Sequence, residues 1–562
     1  MRVSRMFFKT YRENPVDAET RSHQLLVRAG YIKKQSAGIY LFLPLGIRVL
    51  NKLSNIVRQE MDKAGANEVL MSSLIPVEVY AGRLKHFGND MFRLNDRAGK
   101  EMCLGPSHEE VFTLIMKDAV NSYKQLPLIL YQIQTKFRDE VRPRFGLIRG
   151  KEFLMKDAYS FDKNEEGLAV SYNLMSDTYK NIFNRLGLDF VVVDADNGAM
   201  GGSASQEFMV KSEIGEDEII LCEHCGFASN MEKAACVNVE EPFDLSNELD
   251  KELIHTPNCK TIEELTEMLG TNANNFCKAV VYKTDEGKVV LALVRGDKEI
   301  EETKLTRAIG AINLEMASAE DIDAIGSVAG FVGAFDLHDV LVVADESVKN
   351  MHNFVIGANK TDYHYKNANL KDLKIDKFAD IRKAQKGDIC TVCGKELSTI
   401  RTIEVGHIFK QNTHYTKLLD CNYLDENGKS LPMFMGAYGI GITRTISALI
   451  EQYSDDKGIV LPDEVAPYKY YIITANQKDC VQVEKSEMIY NVLTSNNQEV
   501  LLDDRKDSLG VKIKDAELIG VPYIIIAGRR SSEDIFELID RKTSEKKECS
   551  LEELNKFFDS KK

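Results

Sequence analysis

Tryptophan is absent from the 562 residues, proline occurs only 12 times, and no apolar run approaches the ~20 residues that cross a bilayer. Hydrophobic residues make up 44% and charged residues 28%. That balance excludes a collagen-like rod, a disordered tail and a membrane span, and leaves a globular chain of roughly three or four domains. Positive charge is in deficit: 72 Lys plus Arg against 87 Asp plus Glu leave a formal charge of −15 at pH 7. Such a body repels polyanions, so nucleic acid can be met only through local basic clusters. The 11 cysteines are odd in number and spread from Cys103 to Cys549, which excludes a disulfide-stapled secreted module and suits reduced thiols. MRVSRMFFKTYRENPVD holds only the short apolar run Met6-Phe7-Phe8, too little for the core of a signal peptide, so the expected location is cytoplasmic. No internal repeat and no low-complexity tract interrupts the chain.

After Pro44, the apolar positions Leu50, Leu53, Val57 and Met61 recur at helical spacing up to Gly65, and EVLMSSLIP then reads as a buried strand. LILYQIQTKFRDE, VRPRFGLIRG and KEFLMKDAYSF read as an antiparallel hairpin. It carries an unusual concentration of cations: Lys136, Arg138, Arg142, Arg144, Arg149, Lys151 and Lys156. From about Cys222 to Ser398 lies a separate unit with strand-like runs (CKAVVYK, VVLALV, DVLVVAD), opened by Cys222-x-x-Cys225 and closed by Cys390-x-x-Cys393. Beyond it, GAYGIGITRTISALIEQ turns through glycines into an amphipathic helix. After Val465-Ala466-Pro467, strands alternate with helices as in a small α/β domain.

Arg138 and Glu140 are two apart on the predicted strand and so share a face, as do Arg149 and Phe153 on the returning strand. Two guanidiniums for phosphates and a ring for adenine suit ATP; a solvated, salt-bridged hairpin is the bland alternative. Gly436, Gly439 and Gly441 permit close backbone approach, and Arg444 at the head of the following helix can reach a phosphate. The two CxxC pairs have the sulfur spacing of a tetrahedral zinc knuckle. Reduced, buried thiols are the other reading of Cys222, Cys225, Cys390 and Cys393.

In order, the proline-led helix and strand from Pro44, the segment from Arg138 to Phe153, and Gly439-x-Gly441-x-x-Arg444 resemble the three motifs of class II aminoacyl-tRNA synthetases. LGPSHEE (104–110), TKFRDEVRPRFGLIRGKEFLMKDAYSF, GGSASQEFM (201–209) and EVGHIF (404–409) are similar to the bacterial-type prolyl-tRNA synthetases, and the resemblance covers essentially the whole chain. It implies an α+β catalytic domain with an antiparallel sheet (1–223, with motifs 1 and 2, and 399–463, with motif 3). It also implies an inserted α/β editing domain (224–398), a C-terminal α/β anticodon-binding domain (464–562), and a homodimer formed through the Pro44 region.

The implied reaction is ATP-dependent activation of L-proline to prolyl-adenylate and transfer to tRNA(Pro), with Mg²⁺. By the same resemblance Ser107 and Glu109 hold the proline imino group, Arg138 the α-phosphate and the amino-acid carboxylate, and Glu140 and Phe153 the adenosine. Arg149 and Arg444 take the distal phosphates, Gly439 and Gly441 shape the ATP turn, and Glu207, His407 and Phe409 line the proline pocket. A proline-sized pocket cannot sterically reject alanine, and a small apolar difference is worth only about 1–3 kcal/mol, so a second sieve is expected. The editing residues implied are Lys278, Gly330, Gly333, Asp345 and His364; the anticodon contacts are Asp504, Arg505, Lys512 and Lys514.

Departures from the family pattern are Ser107 where Thr is usual, the stretch Gln411 to Thr416, and Glu301, Ala334 and Asp362 in the insertion. A threonine or serine synthetase would share the three motifs without an editing insertion between the second and third. A non-catalytic tRNA-binding paralogue would have lost some of Arg138, Glu140, Arg149, Phe153 and Arg444, all present here; a stand-alone deacylase would lack ATP chemistry.

Overall fold

The computed structural model describes residues 1–84, 90–196, 202–237, 245–311 and 313–561. Gly201, which opens the GGSASQEFM segment, lies outside them. The chain divides into two compact units, one of Met1–Val192, Asn197–Asp217 and Arg401–Lys562, the other of Val193–Asp196 and Glu218–Ile400.

The first unit is built on antiparallel strands in the order Ala204–Lys211, Ser398–Asn412, Phe434–Gly441, Glu152–Asp162 and Leu128–Phe137, with Asn67–Glu68 parallel to the last. Directly opposed residues of antiparallel strands share a face. The register Glu207↔His407↔Gly439↔Asp157↔Gln132 therefore lines one face with polar side chains. The alternate residues Phe208, Ile408, Tyr438, Ile440, Ala158 and Tyr131 turn the other way into the main core. There they meet the helices Pro44–Lys63, Glu165–Arg185 and Ile442–Gln452.

The first of those helices starts as its sequence requires, with a proline at the first turn whose missing N–H costs nothing there. It buries Leu50, Leu53, Val57 and Met61 at helical spacing. EVLMSSLIP, expected as one buried strand, is instead two short strands, Asn67–Glu68 and Leu74–Pro76, with Leu70 74% exposed between them. Only Asn67 and Glu68 find a partner in the large sheet, so the run is not drawn into the core.

Residues beyond 467 form a five-stranded sheet in the order Val500–Asp503, Tyr470–Thr474, Tyr523–Ala527, Ile535–Asp540, Lys546–Ser550, the first three parallel. Its central strands are buried on both faces, as parallel strands are. Tyr470, Ile472 and Ile525 pack on Ile489, Leu493 and Phe558, whereas Tyr471, Ile473 and Ile524 join the main core of the unit. The boundary read at Val465-Ala466-Pro467 is no loose linker: Val465 and Ala466 are fully buried, and Arg48 donates to the Pro467 carbonyl.

In the second unit, Cys277–Thr284 and Val289–Arg295 form an antiparallel pair, flanked by Leu314–Met316, by Val340–Asp345 and by Lys377–Ala379. A three-stranded sheet, Glu252–His255, Tyr363–Ala368 and Phe354–Gly357, completes it. Among the described residues no helix is long and apolar enough to cross a membrane.

Gly46 sits where a Cβ would overlap the carbonyl oxygen of Tyr31, itself fully buried with its hydroxyl donating to the Ile519 carbonyl at 2.6 Å. Gly46→Ala is expected to destabilise the first unit by about 1–3 kcal/mol. The checking measurement is a lower urea midpoint at unchanged slope.

Candidate functional site

The polar face of the large sheet carries the site. The hairpin is present, with strands paired from Leu128↔Phe161 to Phe137↔Glu152. Its functional side chains are placed differently from the sequence reading, however. The first strand ends at Phe137 and the second begins at Glu152, so Arg138, Glu140 and Arg149 lie in the connecting segment, and only Phe153 is on a strand. The loop is held by its own contacts: the Arg138 amide donates to the Lys151 carbonyl at 2.9 Å, and Arg149 Nε donates to Glu140 Oε2 at 2.9 Å.

The Arg138 guanidinium stands 5.3 Å over the Phe153 ring, with no carboxylate within ion-pairing distance among the described residues. Burial, and the neighbouring charge of Arg444, lower its proton affinity. Arg444 is fixed in place. Its Nε donates to the Ile148 carbonyl at 2.9 Å, and its Nη1 to Glu404 Oε2 at 2.9 Å and to the Glu404 carbonyl at 3.0 Å. Gly441 serves this placement, since a Cβ there would lie 3.2 Å from that of Arg444; at Gly439 nothing comes nearer than 3.8 Å, so space does not demand glycine there. Between these groups lies a cavity of about 180 Å³ lined by Glu140, Arg149, Glu216, Asp217, Glu404 and Arg444.

Glu404 was not singled out from the sequence. A bulge explains why it matters: Phe208 pairs with Gly406 but Met209 with Glu404, so Val405 is the extra residue. Glu404 and His407, three apart, then share a face, with Glu404 Oε1 3.3 Å from His407 Nδ1 and Glu207 Oε1 3.6 Å from the same nitrogen. Burial opposes charge on Glu404, but the hydrogen bond from His407 and the cations Arg444 and Arg138 hold its carboxyl down to about 2. Asp217 goes the other way: burial and the Glu404 charge push it up to about 6. The His407 ring stacks on Phe409 at 3.8 Å, and among the described residues its buried Nε2 makes no hydrogen bond.

Ser107 and Glu109 lie on a buried turn and on the helix Glu109–Ala119. A partner missed by the sequence reading, Arg83, holds them. Arg83 Nη2 donates to Ser107 Oγ at 2.9 Å and to Glu109 Oε2 at 2.9 Å. On the other side His108 Nδ1 meets the buried Lys136 ammonium at 2.7 Å, and Lys136 pairs with Asp157 at 2.9 Å. Burial and Lys136 keep His108 neutral, so Nδ1 is the acceptor and Nε2–H donates to the Ser72 carbonyl at 3.0 Å. Lys136 and Lys156, counted among the cations of the hairpin, are therefore core residues; the Lys156 ammonium is fully buried against Tyr179 and the Tyr438 carbonyl. The pairs Arg83–Glu109 and Lys136–Asp157 leave no local pattern, because each joins residues that only the fold brings together.

In the second unit a cavity of about 340 Å³ is lined by Cys277, Lys278, Glu299, Gly330, Gly357 and His364. Lys278 Nζ pairs with Glu299 at 2.7 Å. Gly333 lies beside the cavity, where a Cβ would overlap the Gly357 carbonyl. Asp345 does not line the cavity. It is fully buried and accepts from the amides of Ser347, Ile381 and Arg382 at 2.9–3.0 Å, which makes it a structural cap.

The four knuckle cysteines converge: Cys222 and Cys393 sulfurs are 3.5 Å apart, Cys225 and Cys390 3.7 Å, and all lie within 4.8 Å of one another. The two turns are alike, with Gly226 and Gly394 at φ +76° and +70° and their amides donating to Cys222 and Cys390 carbonyls at 2.9 Å. Backbone amides of Cys225 and His224 hold the Cys222 thiol down to about 6.

The anticodon expectations need correction. Lys512 is fully buried and donates to the Thr474 carbonyl at 2.8 Å, so it cannot neutralise a phosphate. Asp504 accepts from Ser4 Oγ at 2.6 Å, and Arg505 is engaged by Asp503 and Asp515 at 2.7 and 2.9 Å, so both are used within the protein. Lys514 is exposed.

Residues 92–453 match the class II tRNA synthetase core domain of the glycine, histidine, proline, serine and threonine enzymes, and residues 469–561 match an anticodon-binding domain. The molecule is thus a class II aminoacyl-tRNA synthetase. Identity narrows this further. The chain is 51% identical to a proline–tRNA ligase of Caldicellulosiruptor bescii over 98% of this chain and 97% of that one, and 48% identical to one of Thermoanaerobacter sp. over 99% and 98%. It belongs to the proline–tRNA ligase family. The fold is also that of the prolyl-tRNA synthetase of Cryptosporidium parvum solved with L-proline and AMP, at a TM-score of 0.58, 12% identity, and coverage of 98% of this chain and 76% of that one.

Burial holds His364 neutral, with its pKa lowered to about 4, while its Nδ1 meets Thr256 Oγ1 at 2.7 Å. An unfolded imidazole takes its proton near ~6.5. The stability contributed by neutral His364 is therefore complete above ~6.5 and is lost as pH falls toward about 4. A melting temperature that drops across that window, with a smaller drop in His364→Gln, is the expected outcome; equal drops contradict it.

Proposed function

We propose that the chain activates L-proline with ATP to give prolyl-adenylate and transfers the prolyl group to tRNA(Pro), using the residues on the polar face of the large sheet. The observation that carries this assignment is Arg138: a half-buried guanidinium, stacked over Phe153, whose proton affinity is lowered by burial and by the neighbouring charge of Arg444. An α-phosphate is the counter-charge that suits such a pair of cations. The proline carboxylate oxygen attacks the α-phosphorus, the new O–P bond forms as the bond to pyrophosphate breaks, and pyrophosphate leaves. A ribose hydroxyl of the tRNA then attacks the prolyl carbonyl and AMP departs. Arg138 and Arg444 act by positioning and by neutralising charge where it develops. Phe153 offers a face to adenine, while Glu140 and Arg149 guard the nucleotide side of the 180 Å³ cavity. Ser107 and Glu109 receive the imino group, and Glu207, His407 and Phe409 shape the space for the ring.

The carboxylates Asp217 and Glu404 are oxygen donors of the kind Mg²⁺ takes, and a cation would offset both the burial and the Glu404 charge that raise Asp217, so the residues fit the ion. When bound, Mg²⁺ neutralises phosphate charge. In the second unit, the 340 Å³ cavity with Lys278 at its wall suits hydrolysis of alanine from the tRNA end, water attacking the ester carbonyl and the ribose oxygen leaving. In the C-terminal domain the exposed Lys514 remains for tRNA phosphate. The apolar side chains Leu41 and Ile47, each at least 40% exposed at the start of the Pro44 helix, support pairing of two chains there. Eleven free thiols support a reducing, cytosolic location.

The Cys222, Cys225, Cys390 and Cys393 sulfurs are spaced for a structural Zn²⁺. A tetrahedral site with Zn–S near ~2.3 Å has S–S edges of about 3.8 Å, close to the 3.5 and 3.7 Å found. Four thiolates leave no open position, so the ion would hold the two ends of the second unit together without doing chemistry.

Arg138→Ala is expected to reduce proline-dependent ATP–pyrophosphate exchange by on the order of a hundredfold or more at unchanged melting temperature. Wild-type protein that shows no such exchange refutes the assignment. Elemental analysis is expected to find about one zinc per chain, and Cys225→Ser to lose it and lower the melting temperature of the second unit; metal-free native protein refutes the knuckle.

A further inference from the structure

Between Ser107 and Glu109, the two residues assigned to the imino group, stands His108, which is fully buried. Both ring nitrogens and the backbone are held: Nδ1 meets Lys136 Nζ at 2.7 Å, Nε2 the Ser72 carbonyl at 3.0 Å, and the amide donates to the Tyr159 hydroxyl at 3.1 Å. The same lysine donates to Gln134 Oε1 at 3.2 Å and lies 2.9 Å from Asp157 Oδ1. The other oxygen of Asp157 accepts from Tyr159 and from Gln132, each at 3.0 Å. The contacts therefore close into a ring. One arm runs from Asp157 through Lys136 to the His108 side chain, the other from Asp157 through Tyr159 to the His108 backbone.

Strand geometry explains how such a ring forms. Gln132, Gln134 and Lys136 alternate along Leu128–Phe137 and so share a face, and Asp157 is opposite Gln132 on the returning strand. Two residues beyond Lys136 the chain reaches Arg138, and the intervening Phe137 amide donates to the Gly105 carbonyl at 3.2 Å. The turn that bears Ser107 and Glu109 is thus fastened by its backbone to the end of the strand that leads into Arg138. A turn held at Gly105 alone can pivot there. The second attachment, at His108, removes that freedom, and it is a stiff one: neither Lys136 nor Asp157 can move away without leaving a buried charge alone, which is costly.

We propose that the Lys136–Asp157 pair is a positioning device that acts through His108 to fix the Ser107–Glu109 turn relative to Arg138, and so sets where proline lies beside the α-phosphate. The proposal rests on the reading of that turn as the imino-group site. Lys136, Asp157 and His108 make no bond to substrate in this scheme; they decide where Ser107 and Glu109 stand, and small displacements of reacting groups are expensive.

The test measures ATP–pyrophosphate exchange in wild type, His108→Leu, His108→Asn, Tyr159→Phe and Glu109→Ala. Leucine removes both polar contacts of the ring, whereas asparagine carries its amide oxygen on Cγ, where histidine carries Nδ1, and so restores an acceptor for Lys136. His108→Leu is expected to raise the KM for proline by about tenfold, the order of one buried hydrogen bond, with the KM for ATP within about twofold of wild type. His108→Asn is expected to recover most of that loss, to within about threefold of wild type. A KM for proline that His108→Leu leaves unmoved overturns the proposal, as does a rise that asparagine fails to reduce. Equal rises for proline and ATP, the mark of a merely structural histidine, overturn it too. Should the His108 variants fail to fold, Tyr159→Phe, which deletes one hydroxyl of the ring, carries the test: the KM for proline is expected to rise by about threefold, and an unchanged value overturns the proposal. Proline exchange that survives Glu109→Ala with unchanged KM overturns the reading of the turn itself, whereas a raised KM there beside a wild-type value in His108→Leu overturns the inference alone.

Discussion

A single half-buried carboxylate organises the proposed reaction centre. Burial alone would neutralise Glu404, yet His407, Arg444 and Arg138 keep it ionised, with its pKa near 2. Through it Arg444, Arg138 and His407, on separate segments of the chain, are joined by charge. Arg444 is aimed by two contacts to this residue and one to Ile148. Arg138 keeps its guanidinium available because Glu404 is bound elsewhere. Two arginines side by side in a partly buried pocket would repel strongly without such a counter-charge. The carboxylate holds the cations close, and among the described residues Arg138 makes no ion pair, an arrangement that suits the proposed phosphate.

The side proposed for the amino acid is built on the same principle with the signs redistributed. Arg83 lies among Ser107, Glu109 and Glu110, and Lys136 lies between Asp157 and His108. Neither cation is exposed, and neither is left unpaired. Buried ion pairs add little net stability, but removal of one partner is expensive. Such pairs thus resist change and hold one geometry, as the proposed amino-acid pocket requires. Side chains on the polar face are supported from beneath by a core of apolar side chains on the alternate residues of the same strands, so specificity and stability are carried by opposite faces of one sheet.

Much of the fold was legible from local pattern. The Pro44 helix, the hairpin, the turn into the Ile442 helix and the alternation after Pro467 all depend on neighbours within a few residues, and the structure has them. The paired CxxC turns were legible for the same reason, and their sulfurs do converge. The run EVLMSSLIP misled because apolar composition cannot say whether a partner strand is within reach. The cations of the hairpin misled in another way: a lysine looks the same in sequence whether it faces solvent or, like Lys136 and Lys156, is enclosed. Lys512 and Asp345 are further instances, since backbone groups from distant segments satisfy them.

The order of the motifs and the chemistry they can support were determined by the sequence by itself, because residue type and short spacing set what a segment offers. Which of those residues face the ligands was decided only by the tertiary structure. Strand register sorts side chains between a polar and an apolar face, one extra residue at Val405 turns Glu404 toward His407, and pairs such as Arg83 with Glu109 join segments with no local relation. Burial and charge pairing depend on what the whole chain brings near, and no window of sequence contains that information.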